Sequence, residues 1–203
     1  MATLKTYTWE EILQLTSSRP GETKLGDGLE ILGSTEELAD SECRFVLLGI
    51  CEDIGIRANL GTGGARTAWQ DALKALVNVQ FTEKLAPVAL LGNLDFTEEL
   101  EKSKDLDPKV PEDLRKLREQ VEIIDQKVTE VVSAIFAAGK KPVLVGGGHN
   151  NAYPILKAFA GSRTGEPVNV INIDAHADFR ALEGRHSGNG FSYAFHVDLL
   201  HKY

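Results

Sequence analysis

Long apolar runs are missing from this sequence. No stretch approaches the roughly 18 consecutive apolar residues that a membrane-spanning helix needs. The first residues also lack the apolar segment of a secretory signal peptide. We therefore expect a cytoplasmic protein with no membrane partner.

Basic residues and cysteines are also few. The 22 Lys and Arg face 30 Asp and Glu, and the formal net charge of −8 argues against nucleic acid as a partner, because a phosphate backbone repels an acidic surface. The two cysteines, Cys43 and Cys51, lie in or beside the apolar run 45–50. That placement favours buried free thiols over a disulfide or a nucleophile, and it favours a reducing compartment.

The remaining composition is that of a globular protein. The chain has 203 residues, of which 42% are hydrophobic and 26% charged. A chain of this length buries roughly 70% of the surface that its unfolded form exposes, enough for one sizeable core. We expect a single domain over residues 1–203.

Short apolar runs alternate with segments of helical periodicity. This order predicts an α/β fold with a mostly parallel sheet. The predicted strands cover residues 45–50, 87–92, 142–145 and 168–173. The predicted helices follow the N-cap Thr8 and cover residues 65–76, 109–139 and 152–160.

The last two predicted strands each run into a polar cluster, Gly146 to Asn150 after one and Asp174 to Arg180 after the other. In open α/β sheets, ligands bind in the crevice outside the carboxyl ends of the strands. The two clusters are therefore expected to meet in one site.

Asp174, His176 and Asp178 occupy alternate positions, so an extended backbone would direct all three side chains to one side. Two adjacent carboxylates repel each other, and a shared cation offsets that cost. His149 would supply a fourth ligand, since the glycines at 146–148 allow close approach of the backbone. This donor set is compatible with Mn²⁺ and does not exclude Zn²⁺, Fe²⁺ or Co²⁺. Two such ions about 3.5–4 Å apart would generate a hydroxide nucleophile, which indicates hydrolysis.

Other interpretations of these residues remain open. Asp174 could form a turn, His176 could be an ordinary hydrogen-bonded histidine, and Asp178 could cap a helix. A glycine-rich turn can also bind phosphate, although the G-x-G-x-x-G spacing of dinucleotide sites is absent here.

At these residues the sequence resembles the ureohydrolase family of arginase, agmatinase and formimidoylglutamase, whose motifs are G-G-x-H and D-A-H-x-D in this order. The resemblance covers about residues 44–195. Further segments resemble the formimidoylglutamase branch, namely residues 52–59, 63–65, 68–69, 185–189 and 191–194.

The resemblance implies a three-layer arginase-like fold and a binuclear Mn²⁺ hydrolase of linear amidines or guanidines. For this branch the implied substrate is N-formimidoyl-L-glutamate, which water would convert to L-glutamate and formamide. His149, Asp174, His176 and Asp178 would be metal ligands, with Asp174 bridging the two ions and Asp178 also taking part in catalysis. His186 would be the histidine that shuttles protons, a role that suits an ordinary pKa near 6.5.

An acidic substrate needs cationic or amide partners for its carboxylates. We expect Arg57, Arg180 and Asn189 to fill this role, since they lie in loops after strands or near the metal cluster. The arginine guanidinium matches a carboxylate with two parallel hydrogen bonds.

The family's third motif, S-x-D-x-D, does not follow the His186 loop in this chain. Ser103 to Asp107 match it only superficially, because they precede the other motifs and follow no apolar strand. We interpret them as a solvated loop. The sheet is therefore expected to lack its C-terminal strands and the single domain to be incomplete at its C-terminal end.

The missing motif leaves an alternative function open, a non-catalytic or regulatory relative with an incomplete metal site. It also leaves Phe195, Val197, Leu199 and Leu200 in need of cover. We expect the isolated chain to expose apolar surface and to associate, which includes the possibility of a homo-oligomer.

Overall fold

The computed structural model describes residues 3–17, 19–82 and 85–203, which form an α/β fold. The strands are β1 (Thr3–Lys5), β2 (Glu30–Ile31), β3 (Phe45–Ile50), β4 (Val88–Asp95), β5 (Lys141–Val145), β6 (Val168–Asn169) and β7 (Leu200–Lys202). The α-helices are α1 (Trp9–Leu15), α2 (Ile54–Arg57), α3 (Ala68–Val77), α4 (Thr97–Ser103), α5 (Pro111–Ala137), α6 (Ala152–Ser162) and α7 (Gly190–His196).

The main sheet is mostly parallel, as the sequence predicts. β3 lies between β4 and β5 and runs parallel to both. β2 is also parallel to β4, whereas β1 pairs antiparallel with the last residues of β4. The carboxyl ends of β3, β4 and β5 therefore lie along the same edge of the sheet.

Helices cover both faces of this sheet, which gives the predicted three layers. On one face, Val46 and Leu48 of β3 pack in a core cluster with the apolar stripe of α5. On the other face, Leu47 packs with α1 and with Trp69 of α3. Gly49 of β3 gives the Trp69 indole its space, since a Cβ at position 49 would lie 2.3 Å from the ring.

Local signals place the helix ends where the sequence predicts them. Thr8 caps α1 through a reciprocal capping box with Glu11. α5 begins with Pro111 at its first position, and Gly139 with a φ of 72° follows its end. Across the described ranges, no helix is long and apolar enough to cross a membrane.

The prediction of a buried strand over 168–173 is wrong for most of its length. Only Val168–Asn169 is a strand, and it pairs with β7 in a separate two-stranded sheet rather than with β5. Ile171 and Ile173 are 91% and 95% exposed. The apolar run has the composition of a buried strand, but among the described residues β5 pairs only with β3. A strand forms only where a partner supplies its hydrogen bonds.

The cysteines agree with the prediction of free thiols. Cys43 is buried and Cys51 is half-buried. The last residues agree in part with the expected lack of cover, since Phe195 and Val197 are exposed, whereas Leu200 is buried against α6 and α7.

Exposed apolar side chains near β6 lead to a prediction about association. We expect the chain to elute in size-exclusion chromatography with light scattering as species whose mass rises with protein concentration. Replacing Ile171 and Ile173 together by threonine should shift this equilibrium towards the monomer without lowering the melting temperature, because neither side chain is buried. Val79→Thr, at another exposed position, is the matched control. If the unaltered chain is monomeric at all protein concentrations, the prediction of association is wrong.

Candidate metal centre

The glycine cluster after β5 turns the chain sharply towards the site. Gly146 and Gly147 have φ values of 91° and 77°, which favour glycine. A Cβ at Gly147 would lie 3.0 Å from Ile50 and 3.1 Å from the Glu52 carboxylate. The loop therefore packs directly against the end of β3, and His149 follows it in a short 3₁₀ turn.

Three of the four predicted metal ligands lie together. The Nδ1 atom of His149 is 3.1 Å from Asp174 Oδ2 and 2.5 Å from Asp178 Oδ2. One ligand atom from each of the three residues lies within 4.8 Å of the others. We call His149, Asp174 and Asp178 the ligand cluster.

The ligand cluster fits a divalent cation. His149 Nδ1 is buried and has no hydrogen-bond partner of acceptable geometry in the described part of the chain, although two carboxylates adjoin it. One imidazole nitrogen and two carboxylate oxygens thus converge, a donor set typical of a site for Mn²⁺ or a related ion.

The two carboxylates differ in environment. Burial raises the pKa of Asp178, and the nearby His149 opposes this rise. The backbone N–H of His176 donates to Asp174 Oδ1 at 2.8 Å and lowers the pKa of Asp174.

His176 lies outside the ligand cluster, because the backbone of this segment is not extended as the alternating pattern predicts. Residues 174–176 bend, and Asp178 has a φ of 49°. The His176 side chain is 83% exposed, with Nδ1 3.4 Å from Asp174 Oδ1.

A cavity of about 690 Å³ opens beside the ligand cluster. Arg180, Asn59 and Ser187 line it together with the cluster. Arg180 donates to Asn59 Oδ1 at 2.7 Å, and Asn59 donates to Ser187 Oγ at 3.2 Å. Arg180 is thus the predicted substrate-binding residue that the structure brings to the cavity. Asn59, which belongs to the segment 52–59 but was not predicted as a site residue, also lines it.

The structure places the other two predicted substrate-binding residues elsewhere. Arg57 donates to the backbone carbonyls of Ser103 and Leu106 after α4. Asn189 is fully buried, and its side chain donates to the Ala181 and Gly184 carbonyls. Both side chains use their hydrogen-bonding groups to hold loops, so neither faces the cavity.

His186 is buried rather than exposed to the cavity. Its Nδ1 accepts from the backbone N–H of Gly188 at 3.1 Å, and its Nε2 lies 3.2 Å from Glu183 Oε1. Burial, with a contribution from the Arg118 cation, lowers the pKa of His186 to about 4. The imidazole is therefore neutral near pH 7 and holds the loop in this structure, and its role as the proton shuttle stays a prediction.

A buried ion pair that sequence reasoning missed anchors this loop to α5. Arg185 donates through Nε to Asp125 Oδ2 at 2.7 Å, and its guanidinium packs against the rings of both Tyr153 and Tyr193. A second nitrogen donates to Asn189 Oδ1 at 2.6 Å. The signal in the sequence is Asp125 itself, a charged residue on the apolar face of α5.

The pKa shifts of Asp125 and His186 predict opposite effects on stability between about pH 4 and 6. Burial raises the pKa of Asp125 to about 6, so its contribution to stability is lost as pH rises through this range. His186, with its pKa lowered to about 4, contributes stability that is lost as pH falls from about 6.5. Relative to the unaltered chain, Asp125→Asn should gain stability as pH rises from 4 to 6, and His186→Gln should lose it. Urea unfolding across this range tests the prediction, which fails if both variants keep the unaltered pH dependence.

Comparison with known proteins identifies the family. The Arginase family profile matches residues 43–201. A formimidoylglutamase of Klebsiella pneumoniae (strain 342) is 30% identical over 151 residues, which cover 72% of this chain and 40% of that protein. The chain thus spans less than half the length of this curated relative.

Two solved structures show the same fold. A formimidoylglutamase of Bacillus subtilis has a TM-score of 0.62 at 17% identity. The match covers 91% of this chain and 51% of the Bacillus protein. A Trypanosoma cruzi formiminoglutamase with Mn²⁺ has a TM-score of 0.56 at 22% identity. The match covers 84% of this chain and 52% of the Trypanosoma protein. Because the family profile spans most of the chain and the folds agree, this chain belongs to the arginase family.

Proposed function

We propose that this chain contributes the ligand cluster to a Mn²⁺-dependent hydrolase of linear amidines, with N-formimidoyl-L-glutamate as substrate and two Mn²⁺ ions in the complete site. The observation that carries the proposal is the buried Nδ1 of His149, which lies against two carboxylates without a hydrogen bond. The family and the formimidoylglutamase relatives support the reaction class.

The ligand cluster would hold the metal, and His176 would join it only after its exposed side chain turns inward. The chemistry that bound Mn²⁺ supplies is Lewis-acid activation of water for attack on the amidine carbon. Asp178 is the more buried of the two carboxylates, and its other oxygen, Oδ1, would accept a proton from the attacking water. Passing that proton to the leaving nitrogen would complete cleavage of the C–N bond and release L-glutamate and formamide.

Arg180 would bind a carboxylate of the substrate at the cavity wall. Its guanidinium donates to Asn59 through Nη1, and Nη2 lies 3.9 Å from Glu183 Oε1 without a hydrogen bond, so N–H groups remain that could donate to an anion. Phe179 and Ile56 also line the cavity and would supply apolar surface beside it.

A second candidate function is that of a non-catalytic or regulatory relative. The observation that favours it is that only three ligand residues lie together among the residues the structure describes. Metal binding without turnover would support this candidate.

The experiment that tests the proposal measures bound Mn²⁺ and formamide release from N-formimidoyl-L-glutamate. It is run on the 203-residue chain and on the product of the complete open reading frame. Turnover by either protein that requires Mn²⁺ supports the hydrolase. Absence of both metal binding and turnover in both proteins would overturn it.

Arg180→Gln tests the proposed substrate contact. Loss of a charge-assisted hydrogen bond to a carboxylate should raise KM about 10-fold and leave kcat within a few-fold, because this contact is the same in substrate and transition state. Arg163→Gln, at a surface pair with Glu166, is the matched control and should change neither constant. An unchanged KM in Arg180→Gln would remove Arg180 from the substrate site.

A further inference from the structure

Glu52 is a buried carboxylate that neither the sequence analysis nor the proposed reaction uses. It lies just after β3 and has no exposed surface. Within the described ranges it forms no ion pair. Burying a carboxylate without a cation is costly unless hydrogen bonds replace its hydration, so Glu52 needs hydrogen-bond donors around both oxygens.

Three of its four hydrogen-bond donors come from the loop that carries His149. Glu52 Oε1 accepts from the backbone N–H of Gly148 at 2.8 Å and from the side-chain amides of Asn151 at 2.9 Å and Asn150 at 3.2 Å. Glu52 Oε2 accepts from the backbone N–H of Gly55 at 3.2 Å. In all four hydrogen bonds the Glu52 carboxylate is the acceptor, so its two oxygens match this set of four donors.

The two asparagines show how strongly the carboxylate orders the loop. Both point their amide nitrogens at Glu52, and in both the buried amide oxygen lacks a hydrogen-bond partner among the described residues. Turning either amide over would place its oxygen against the carboxylate. Leaving the two amide oxygens without hydrogen bonds is unfavourable, and the hydrogen bonds from both amides to the Glu52 carboxylate offset this cost.

The carboxylate also joins the two strand ends that form the site. Glu52 follows β3, and Gly148 precedes His149 after β5, so the hydrogen bond between them fixes the start of the His149 turn. On the far side of this turn, the Asn150 carbonyl accepts from Arg185.

We propose that Glu52 is the positioning residue of the metal centre: its carboxylate holds the loop Gly146 to Asn151 in the conformation that presents His149 to Asp174 and Asp178. The inference rests on the proposed metal-binding function. Glu52 acts through the backbone of Gly148 and the amides of the loop, without touching the metal or the substrate.

The test compares Glu52→Gln with Glu99→Gln. Glutamine keeps the shape of the side chain and removes the charge that four donors share. Glu99 is a matched control because it is also buried, at 3% exposed, but it pairs with Lys127 between α4 and α5. Two properties are measured on each protein: hydrogen exchange of the Gly148 amide without metal, and the Kd for Mn²⁺.

We expect the Gly148 amide of Glu52→Gln to exchange about 10-fold faster, since a hydrogen bond to a charged group is worth at least about 1.5 kcal/mol. The Kd for Mn²⁺ should rise about 10-fold or more, in the range found when partners that orient metal ligands are removed. Glu99→Gln should change neither value by more than about twofold, even if its melting temperature falls.

Unaltered Mn²⁺ affinity in Glu52→Gln would overturn the proposal, whether or not the amide exchanges faster. If the unaltered chain binds no Mn²⁺, the proposed function fails, and the exchange rate then decides by itself whether Glu52 holds the loop. If Glu52→Gln does not fold, Asn151→Ala replaces it. That variant removes one donor and should change both properties in the same direction by a smaller factor.

Discussion

Asp178→Asn is expected to weaken Mn²⁺ binding by at least about 100-fold, since loss of a group that merely orients a ligand already costs about 10–100-fold. Asp178 Oδ2 lies 2.5 Å from His149 Nδ1 and is the more buried carboxylate of the ligand cluster. Asparagine keeps its volume and tolerates the φ of 49° at this position. The substitution therefore removes the charge with little effect on the backbone.

The metal-free protein should respond differently to the same substitution. Asp174 and Asp178 repel each other, and this repulsion contributes to the raised pKa of Asp178. We therefore expect the melting temperature of metal-free Asp178→Asn not to fall. Asp105→Asn, an exposed position in the superficial Ser103 to Asp107 match, is the control and should bind Mn²⁺ normally. Equal Mn²⁺ affinity of Asp178→Asn and the unaltered chain would show that the ligand cluster is not a metal site.

Arg185→Met is expected to lower the free energy of unfolding by about 3–5 kcal/mol, because it leaves the buried Asp125 carboxylate without its cation. Arg185 is 2% exposed and also donates to Asn189 and to the Asn150 carbonyl. Its removal should thus loosen the loop that carries His186. Urea unfolding measures the change.

A second substitution separates the buried charge from the lost packing. Adding Asp125→Asn to Arg185→Met removes the unpaired charge and should recover part of the loss. Arg115→Met removes an exposed arginine that pairs with Glu112 and Glu119, and it should leave the urea midpoint unchanged. If Arg185→Met were as stable as Arg115→Met, the buried pair would not anchor the loop.

Local sequence signals predict the helices and the inner strands of this fold well. The Thr8 capping box, the apolar stripe of α5 and Gly139 after its end act within a few residues, so the printed sequence contains all the information they need. The run 45–50 is apolar throughout because both faces of β3 are covered.

Long-range pairing explains where prediction from sequence fails. The run 168–173 looks like a buried strand, but its hydrogen bonds depend on a neighbouring strand elsewhere in the sequence, and contacts with β7 end at the Val170 N–H, which donates to Lys202 O. The alternation of Asp174, His176 and Asp178 predicts a shared side only for an extended backbone. The hydrogen bond from His176 N–H to Asp174 bends that backbone and leaves the His176 side chain exposed.

The sequence predicts which residue types form the site better than it predicts where each side chain lies. The two motifs that the sequence singles out do bring His149, Asp174 and Asp178 together, although β5 and β6 belong to different sheets. Arg57 and Asn189 have the right chemistry for a carboxylate, but nearby backbone carbonyls take their donors. Glu52 carries no spacing signal, since its three partners in the His149 loop lie more than 90 residues away.

The most direct test of the metal centre is anomalous X-ray scattering at the manganese edge from crystals grown with Mn²⁺. We expect an anomalous-difference peak between His149 Nδ1 and the carboxylates of Asp174 and Asp178, and no such peak at this position in Asp178→Asn crystals. Manganese bound only at other residues, or an undiminished peak in the variant, would contradict it.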